Sequence, residues 1–405
     1  MKVTGFRSKT YFYEMDRPLG DVNLPQGETG GMGGVLFIDT DEGITGVAPM
    51  TSPSVPALFH LIEGEDPRGV VGLWKRMLDF VFKAGNEGAD NQALGAIDIA
   101  LWDLKAKIAD EPLWQTLGAR EGRTKAYASG IDYCLSDDDI FKFYRRMADQ
   151  GVDGGKLKVG LDLKADMRRL GIVNEALSVA SKRPRLSIDS NEYWTPKQAI
   201  QHITKIEEEF DLTWAEEPAR RWDYDGLKLV SRGIRAAVSS GENVNDISDF
   251  YPLIANEAID IVQFGQACGI TGARQIANLA YAYELPFSLM NCQANFMAHL
   301  GAALPNHMAI EVVDPGREHV IKFKHTIEDG FVRLSDEPGL GIQIDEKRLA
   351  KMEASKPPRK LNMPFPRREG AGLYVLPPAP GERPWVSEWD RFQKKPAKAG
   401  GRVRK

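Results

Sequence analysis

Three acidic residues each close a short apolar run: Asp189 after Leu186-Ser187-Ile188, Glu216 after Thr213-Trp214-Ala215, and Glu242 after Val238-Ser239-Ser240-Gly241. They are 27 and 26 residues apart, the length of one strand-helix unit. If each run is a parallel barrel strand, the acids stand together at the C-terminal rim, within a few ångströms of one another. Three carboxylates so placed suit a hard cation, and Mg²⁺ accepts carboxylate oxygens alongside water and substrate oxygens. No His or Cys at these positions argues for zinc. A single acid after a strand commonly caps the next helix, but three in register favour a ligand set. Asn191 and Glu217, beside Asp189 and Glu216, are expected to face the substrate or support the ligands.

One strand earlier the sequence reads Gly155-Lys156-Leu157-Lys158-Val159. Lys156 and Lys158 are two apart and project from the same side of a strand, the interior side in a barrel. Two buried ammonium groups repel each other, so the expectation is a lysine pKa lowered toward that of a general base. Such a base facing a divalent cation can remove the proton α to a carboxylate.

Eight short apolar runs could supply the strands: 125–130, 156–159, 185–189, 212–215, 236–239, 259–264, 286–290 and 308–313. Amphipathic stretches such as 166–180, 197–210 and 272–283 lie between them, long enough for parallel crossovers. The predicted fold is α/β, a (β/α)8-type barrel. A doubly wound sheet would place a glycine-rich phosphate loop after an early strand, but the glycine-rich stretch 27–34 lies before one. Ahead of the barrel, alternation over 35–47 reads as a hairpin, and Leu94, Ile97, Leu101, Leu104 and Ile108 recur at helical spacing. These give an α+β capping domain at 1–123, followed by the barrel at 124–321, a C-terminal return at 322–353 and a tail at 354–405.

The lysine pair, Asp189-Ser190-Asn191, Trp214-Ala215-Glu216-Glu217-Pro218 and Gly241-Glu242-Asn243 together resemble the signature segments of the enolase superfamily, closest to its mandelate racemase-like group. Residues 96–104 resemble the family's capping-domain helix and 338–342 its return to that domain. The resemblance implies Lys158 as the base, Lys156 as its modulator, and Asp189, Glu216 and Glu242 as Mg²⁺ ligands. It also implies that Glu311 bonds the substrate carboxylate, that the protein is a homo-oligomer, and that 13–34 forms a mobile loop over the site. That loop carries Arg17 as a substrate contact, and its glycines suit a moving lid.

Two departures from the family pattern bear on the chemistry. Members of this group carry a second acid/base opposite the lysine, a histidine on strand 7 paired with an aspartate on strand 6. Here Asn291 stands at the histidine position and Gly265 at the aspartate position. Asn291 is therefore read as a substrate contact, and Tyr133 and His319 as candidate second acids on loops after strands 1 and 8. His60, His202, His299 and His307 fall in or beside helical patterns and are expected to be structural.

With 42% hydrophobic and 27% charged residues, the chain is neither disordered in bulk nor a membrane protein by composition. The start lacks the apolar core of a signal peptide, and Cys134, Cys268 and Cys292 match no disulfide or thiolate-metal framework. A cytoplasmic protein with no membrane or nucleic-acid partner is expected. The net charge of -5 hides a tail from residue 351 that carries +9 and nine of the 24 prolines. Phe365, Tyr374, Trp385, Trp389 and Phe392 in that tail suggest docking on the parent chain or a sister subunit.

The leading functional expectation is Mg²⁺-dependent dehydration of a hydroxy or sugar acid, a small-molecule carboxylate. A racemase or epimerase of a carboxylic acid or amino acid derivative, using an atypical second acid, is the alternative. A metal-binding sensor or pseudoenzyme is the third reading.

Overall fold

The computed structural model describes residues 1–354, 365–368 and 371–372. The chain opens with a long antiparallel ribbon, β1 (Val3–Leu19) and β2 (Glu28–Thr40), to which β3 (Thr45–Ala48) adds. The tip, residues 20–27, is a loop and the register shifts between Glu14 and Leu19; elsewhere the expected mobile segment 13–34 is extended strand, with Tyr13, Glu14 and Gly30 to Gly34 paired in register. The glycines explain the difference. Tyr11 lies opposite Gly33 and Tyr13 opposite Gly31, and a Cβ at either glycine would fall 2.4 Å from the facing ring. These glycines make room for tyrosine rings, as paired aromatics and glycines do across strands.

Helices α1 (Val55–Phe59), α2 (Val70–Val81), α3 (Gly88–Ile108) and α4 (Leu113–Thr116) follow. Every residue of α3 from Ala93 to Leu104 is buried, as expected of a helix apolar on most faces and enclosed on all sides.

The barrel is closed by eight parallel strands: β4 (Arg123–Ser129), β5 (Gly154–Lys158), β6 (Arg185–Asp189), β7 (Leu212–Glu216), β8 (Ala237–Ser240), β9 (Ile261–Phe264), β10 (Phe287–Leu289) and β11 (His307–Val312). Each pairs with its sequence neighbour, and β11 pairs with β4 to complete the ring. Each predicted apolar run is one of these strands, to within a few residues. The crossovers are α5 (Asp137–Asp149), α6 (Leu163–Leu177), α7 (Pro196–Ile206), α8 (Tyr224–Gly233), α9 (Ile247–Ala255), α10 (Gly269–Ala282) and α11 (Ala298–Ala303). Because side chains alternate along a strand, one residue in two enters the barrel, and an aromatic layer of Tyr127 and Trp214 packs with Ile261 and Ala309 beneath the charged groups. The two rings meet edge to face at 5.0 Å, and Gln263 donates to the Tyr127 hydroxyl.

Beyond the barrel come β12 (Ile321–Phe323), β13 (Thr326–Glu328), β14 (Phe331–Arg333), β15 (Ile342–Ile344) and α12 (Glu346–Glu353). β14 pairs antiparallel with β4, and the backbone N–H of Leu340 donates to Asp103 on α3, so this return binds the barrel and the N-terminal helices together. The tail aromatics Tyr374, Trp385, Trp389 and Phe392 lie outside the described residues. Among the described residues, no helix is long and apolar enough to cross a membrane.

Candidate active site

The C-terminal ends of β5, β6 and β7 are in register, with Lys158 beside Asp189 and Asp189 beside Glu216. Lys158 Nζ lies 2.5 Å from Asp189 Oδ2. Lys156, completely buried, sits among three carboxylates: Glu216 at 2.5 Å, Glu311 at 3.2 Å and Asp189 at 3.3 Å. The chain turns sharply after these strands, with Asn191, Glu192 and Glu217 all at positive φ. Such backbone is unfavourable for residues other than glycine and persists where the surroundings enforce it. It brings Asn191 and Glu217 into the cavity wall, where Asn191 and Asn243 both donate to the Glu217 carboxylate.

In the cation-free site the lysines do not show the expected loss of basicity. Burial does oppose their charge, but Glu216 and Glu311 around Lys156, and Asp189 beside Lys158, hold both ammonium groups above the ordinary lysine value. The sequence argument weighed the two lysines against each other and left out the acids that face them. The acids respond unevenly. Burial pushes Glu242 up to about 6, with Asp189 and Glu311 adding to the effect against the pull of both lysines. Burial also raises Glu216 and Glu217 well above the carboxylate range, and neighbouring carboxylates raise both further. Glu311 goes the other way: burial works against its charge, yet Lys156, Lys158 and a hydrogen bond from Asn291 hold it at about 2.

Asp189, Glu216 and Glu242 thus offer buried, mutually repelling carboxylate oxygens, the donor chemistry a hard divalent cation takes. Among the described residues, no three His, Cys, Asp or Glu side chains already converge on one point in ligand fashion. Asp189 and Glu216 are turned onto the lysines instead, and Glu216 also accepts from Trp214 Nε1. The residues fit a cation in donor type and position, and holding one requires Asp189 and Glu216 to turn from the lysines toward Glu242.

A cavity of about 810 Å³ opens above these groups. Lys158, Glu242, Asn191, Asn291 and Glu311 all line it. Asn291 bridges Glu311, to which it donates at 2.5 Å, and Arg317, from which it accepts at 2.6 Å. Three expected site residues are placed elsewhere. Arg17 donates to the carbonyls of Gly130 and Val313 at the ends of β4 and β11, fastening the ribbon to the barrel. The Tyr133 hydroxyl accepts from the backbone N–H of Leu161. His319 is held between the Glu14 carbonyl and Arg348. None of the three lines the cavity. Arg220, Arg221 and Arg317 do line it, although the sequence reading passed over them: they sit on irregular loops, where no periodicity marks a side chain's direction.

Residues 139–348 match the family model of the enolase C-terminal domain-like proteins, and 34–118 match that of the mandelate racemase / muconate lactonizing enzyme N-terminal domain. The chain belongs to the mandelate racemase-like family of the enolase superfamily. Within that family it is 30% identical over 299 residues to a 3,6-anhydro-α-L-galactonate cycloisomerase of Streptomyces coelicolor, covering 71% of this chain and 80% of the relative. It is 30% identical over 294 residues to the L-talarate/galactarate dehydratase of Salmonella typhimurium, covering 70% and 71% of the two chains. A crystal structure of a racemase from Streptomyces coelicolor, with bound magnesium, superposes at a TM-score of 0.78 with 26% identity, over 86% of this chain and 99% of the other.

Proposed function

We propose that this protein is a magnesium-dependent lyase that removes the α-proton of a hydroxylated sugar acid and expels the β-hydroxyl. The observation that carries this reading is the position of Lys158: its ammonium borders both the cavity and the buried carboxylates, so a substrate carboxylate held there presents its α-carbon to it. Asp189, Glu216 and Glu242 would hold the cation. When bound, the cation supplies positive charge beside the substrate carboxylate, stabilising the charge that builds up there as the α-proton leaves. Lys156 keeps Glu311 ionised and fixes its orientation, and Glu311 in turn positions Asn291 against the substrate. With Asp189 and Glu216 turned toward a cation and that positive charge beside it, Lys158 would first give up its ammonium proton to solvent; the neutral amine then takes the α-proton, and the ammonium so formed stands on the face from which a hydroxyl can leave, returning that proton to make water. The dehydratase among the relatives supports this reading, and a magnesium-bound neighbour supports the cation.

A second reading draws on the relative named as a cycloisomerase. If the leaving oxygen belongs to a ring of the substrate, the same elimination opens the ring and the product is an isomer. Both readings share the first step, so one experiment tests them together. The protein is incubated with Mg²⁺ and a panel of hydroxy and sugar acids in D₂O, with α-deuteration and keto-acid formation followed by NMR. Wild type should exchange the α-proton of at least one acid, and Lys158→Ala should lose that exchange while remaining folded. Exchange that survives in Lys158→Ala would remove the lysine from its assigned role.

A further inference from the structure

Residues 365–368 lie beyond both family matches, the later of which ends at residue 348, yet Phe365 and Arg367 form part of the cavity wall. The segment is anchored at three points. The backbone N–H of Arg368 donates to Asn23 at the tip of the first ribbon, at 2.9 Å. Arg367 Nη2 donates to the Glu192 carbonyl in the loop after β6, at 3.2 Å. Phe365 packs against Met15, Leu19 and Val313. Asn23 itself donates to the carbonyl of Asn191, so tail, ribbon tip and barrel rim form one connected wall.

This anchoring delivers Arg367 to a place that already holds two arginines. Arg221 Nε lies 2.5 Å from the Glu192 carboxylate and Arg220 Nη1 3.3 Å from it. Burial, and then the charge of Arg220, pull the Arg367 guanidinium below its ordinary value, which records the crowding. Arg220 and Arg221 thus share the Glu192 carboxylate, whereas Arg367 reaches only the backbone carbonyl of that residue, and among the described residues it has no carboxylate within ion-pair distance. Glu217 and Glu242 also act on Arg221, but they belong to the acid cluster below. Arg317, across the cavity, differs: it has a carboxylate of its own, Glu318 at 3.5 Å, and an amide partner in Asn291. A guanidinium at a cavity wall, beside two others and without a carboxylate of its own, is costly until an anion completes it, and guanidinium groups suit a carboxylate in geometry.

We propose that residues 365–368 are a wall of the active site and that Arg367, with Arg220 and Arg221, binds a second anionic group of the substrate, making the preferred substrate a hydroxylated dicarboxylate. The inference rests on the reading of Lys158 as the α-proton base, which fixes where the first carboxylate must lie. Arg367 is a specificity-determining residue in this scheme: it does not touch the reacting atoms, and it selects among acids that share them.

The test compares two ligands in the presence of Mg²⁺: a six-carbon aldarate, and the aldonate of the same configuration, which has a hydroxymethyl group in place of the second carboxylate. Affinities are measured by calorimetry in the Lys158→Ala background, so that neither ligand is consumed. The aldarate should bind about tenfold or more tightly than the aldonate, as expected for a charge-assisted contact. Arg367→Gln should erase most of that preference while leaving aldonate binding within about twofold, and Arg367→Lys should retain part of it. Equal binding of the two acids before Arg367 is changed overturns the proposal. So does an Arg367→Gln variant that weakens both acids alike, since the arginine would then be acting on the shared carboxylate or on the fold. Exchange of the α-proton by the Lys158 wild type, run separately with each acid, reports on the base assignment, so failure there is distinguishable from failure of the arginine wall.

Discussion

Glu242 and Glu216 differ in what holds them: Glu216 is paired with Lys156 at 2.5 Å, whereas Glu242 faces the cavity and is raised to about 6 by burial and by its acidic neighbours. Glu242→Gln therefore removes a repelling charge without breaking a lysine pair. The metal-free variant should melt at or above the wild-type temperature, while its Mg²⁺ affinity drops by about tenfold or more, roughly 1.4 kcal/mol. Unchanged Mg²⁺ affinity by calorimetry would remove Glu242 from the ligand set. Stereochemistry gives a second prediction at this scale. Inversion at the α-carbon needs a proton carrier opposite Lys158, and the position at which the sequence resemblance places that carrier holds Asn291, clamped between Glu311 and Arg317. Neither an amide nor a guanidinium exchanges protons usefully near neutrality, and Tyr133 and His319 point elsewhere. Unconsumed substrate supplied as one enantiomer should keep its optical rotation while a 2-keto-3-deoxy acid accumulates. Appearance of the opposite enantiomer or an epimer would favour the racemase reading. The acids and lysines were legible because strand periodicity fixes their side; the ion pairs that Asp189, Glu216 and Glu311 make with Lys156 were not, since these groups converge from different strands only when the barrel closes.

The glycine-rich stretch shows that one composition can answer to more than one physical need. Glycines between 27 and 34 suggest mobility, but Gly31 and Gly33 sit in a paired strand because rings from the facing strand occupy the space a Cβ would fill. Gly33→Ala should push the Tyr11 ring out of a fully buried position and cost about 1–3 kcal/mol, the usual penalty for overpacking. Chemical denaturation checks this, and a variant as stable as wild type would show that the Tyr11 ring does not require the space Gly33 leaves. Cross-strand pairing depends on register, and register is set by the ribbon tip at 20–27, whose geometry no periodicity announces. The barrel strands needed no such detail. Each is a short apolar run with a polar end, and its partner is dictated by chain order once the crossovers are known to be right-handed. Arg17 follows the same logic as the glycines: a charged residue near a site suggested a ligand contact, and the structure spends it on two backbone carbonyls that fasten the ribbon to the barrel.

At the scale of the molecule, the N-terminal helices, the barrel and the C-terminal return are joined through His299 on α11. Its Nδ1 accepts from the backbone N–H of Trp114 at 3.0 Å, and its Nε2 faces the Leu340 carbonyl at 3.1 Å. Accepting at one nitrogen and donating at the other fixes the neutral ring, and protonating Nδ1 would break the bond to Trp114. Burial, assisted by the neighbouring His325, pulls His299 down to about 3. The unfolded chain takes up this proton near pH 6.5 and the folded chain only near pH 3, so the contribution is complete above 6.5 and is lost as pH falls through that window. Each pH unit within it is worth about 1.4 kcal/mol at most. Other buried groups titrate in the same range with the opposite sign, Asp98 and Asp166 among them, both pushed up to about 7 by burial. Net acid stability therefore cannot isolate the histidine, but a difference between variants can. His299→Gln should be less stable than wild type at pH 7, and the gap should narrow steadily between pH 6.5 and pH 4, because only wild type pays for keeping this ring neutral. Urea unfolding of both proteins across that range measures the gap directly, and a gap independent of pH would mean that His299 holds the three parts together by packing alone.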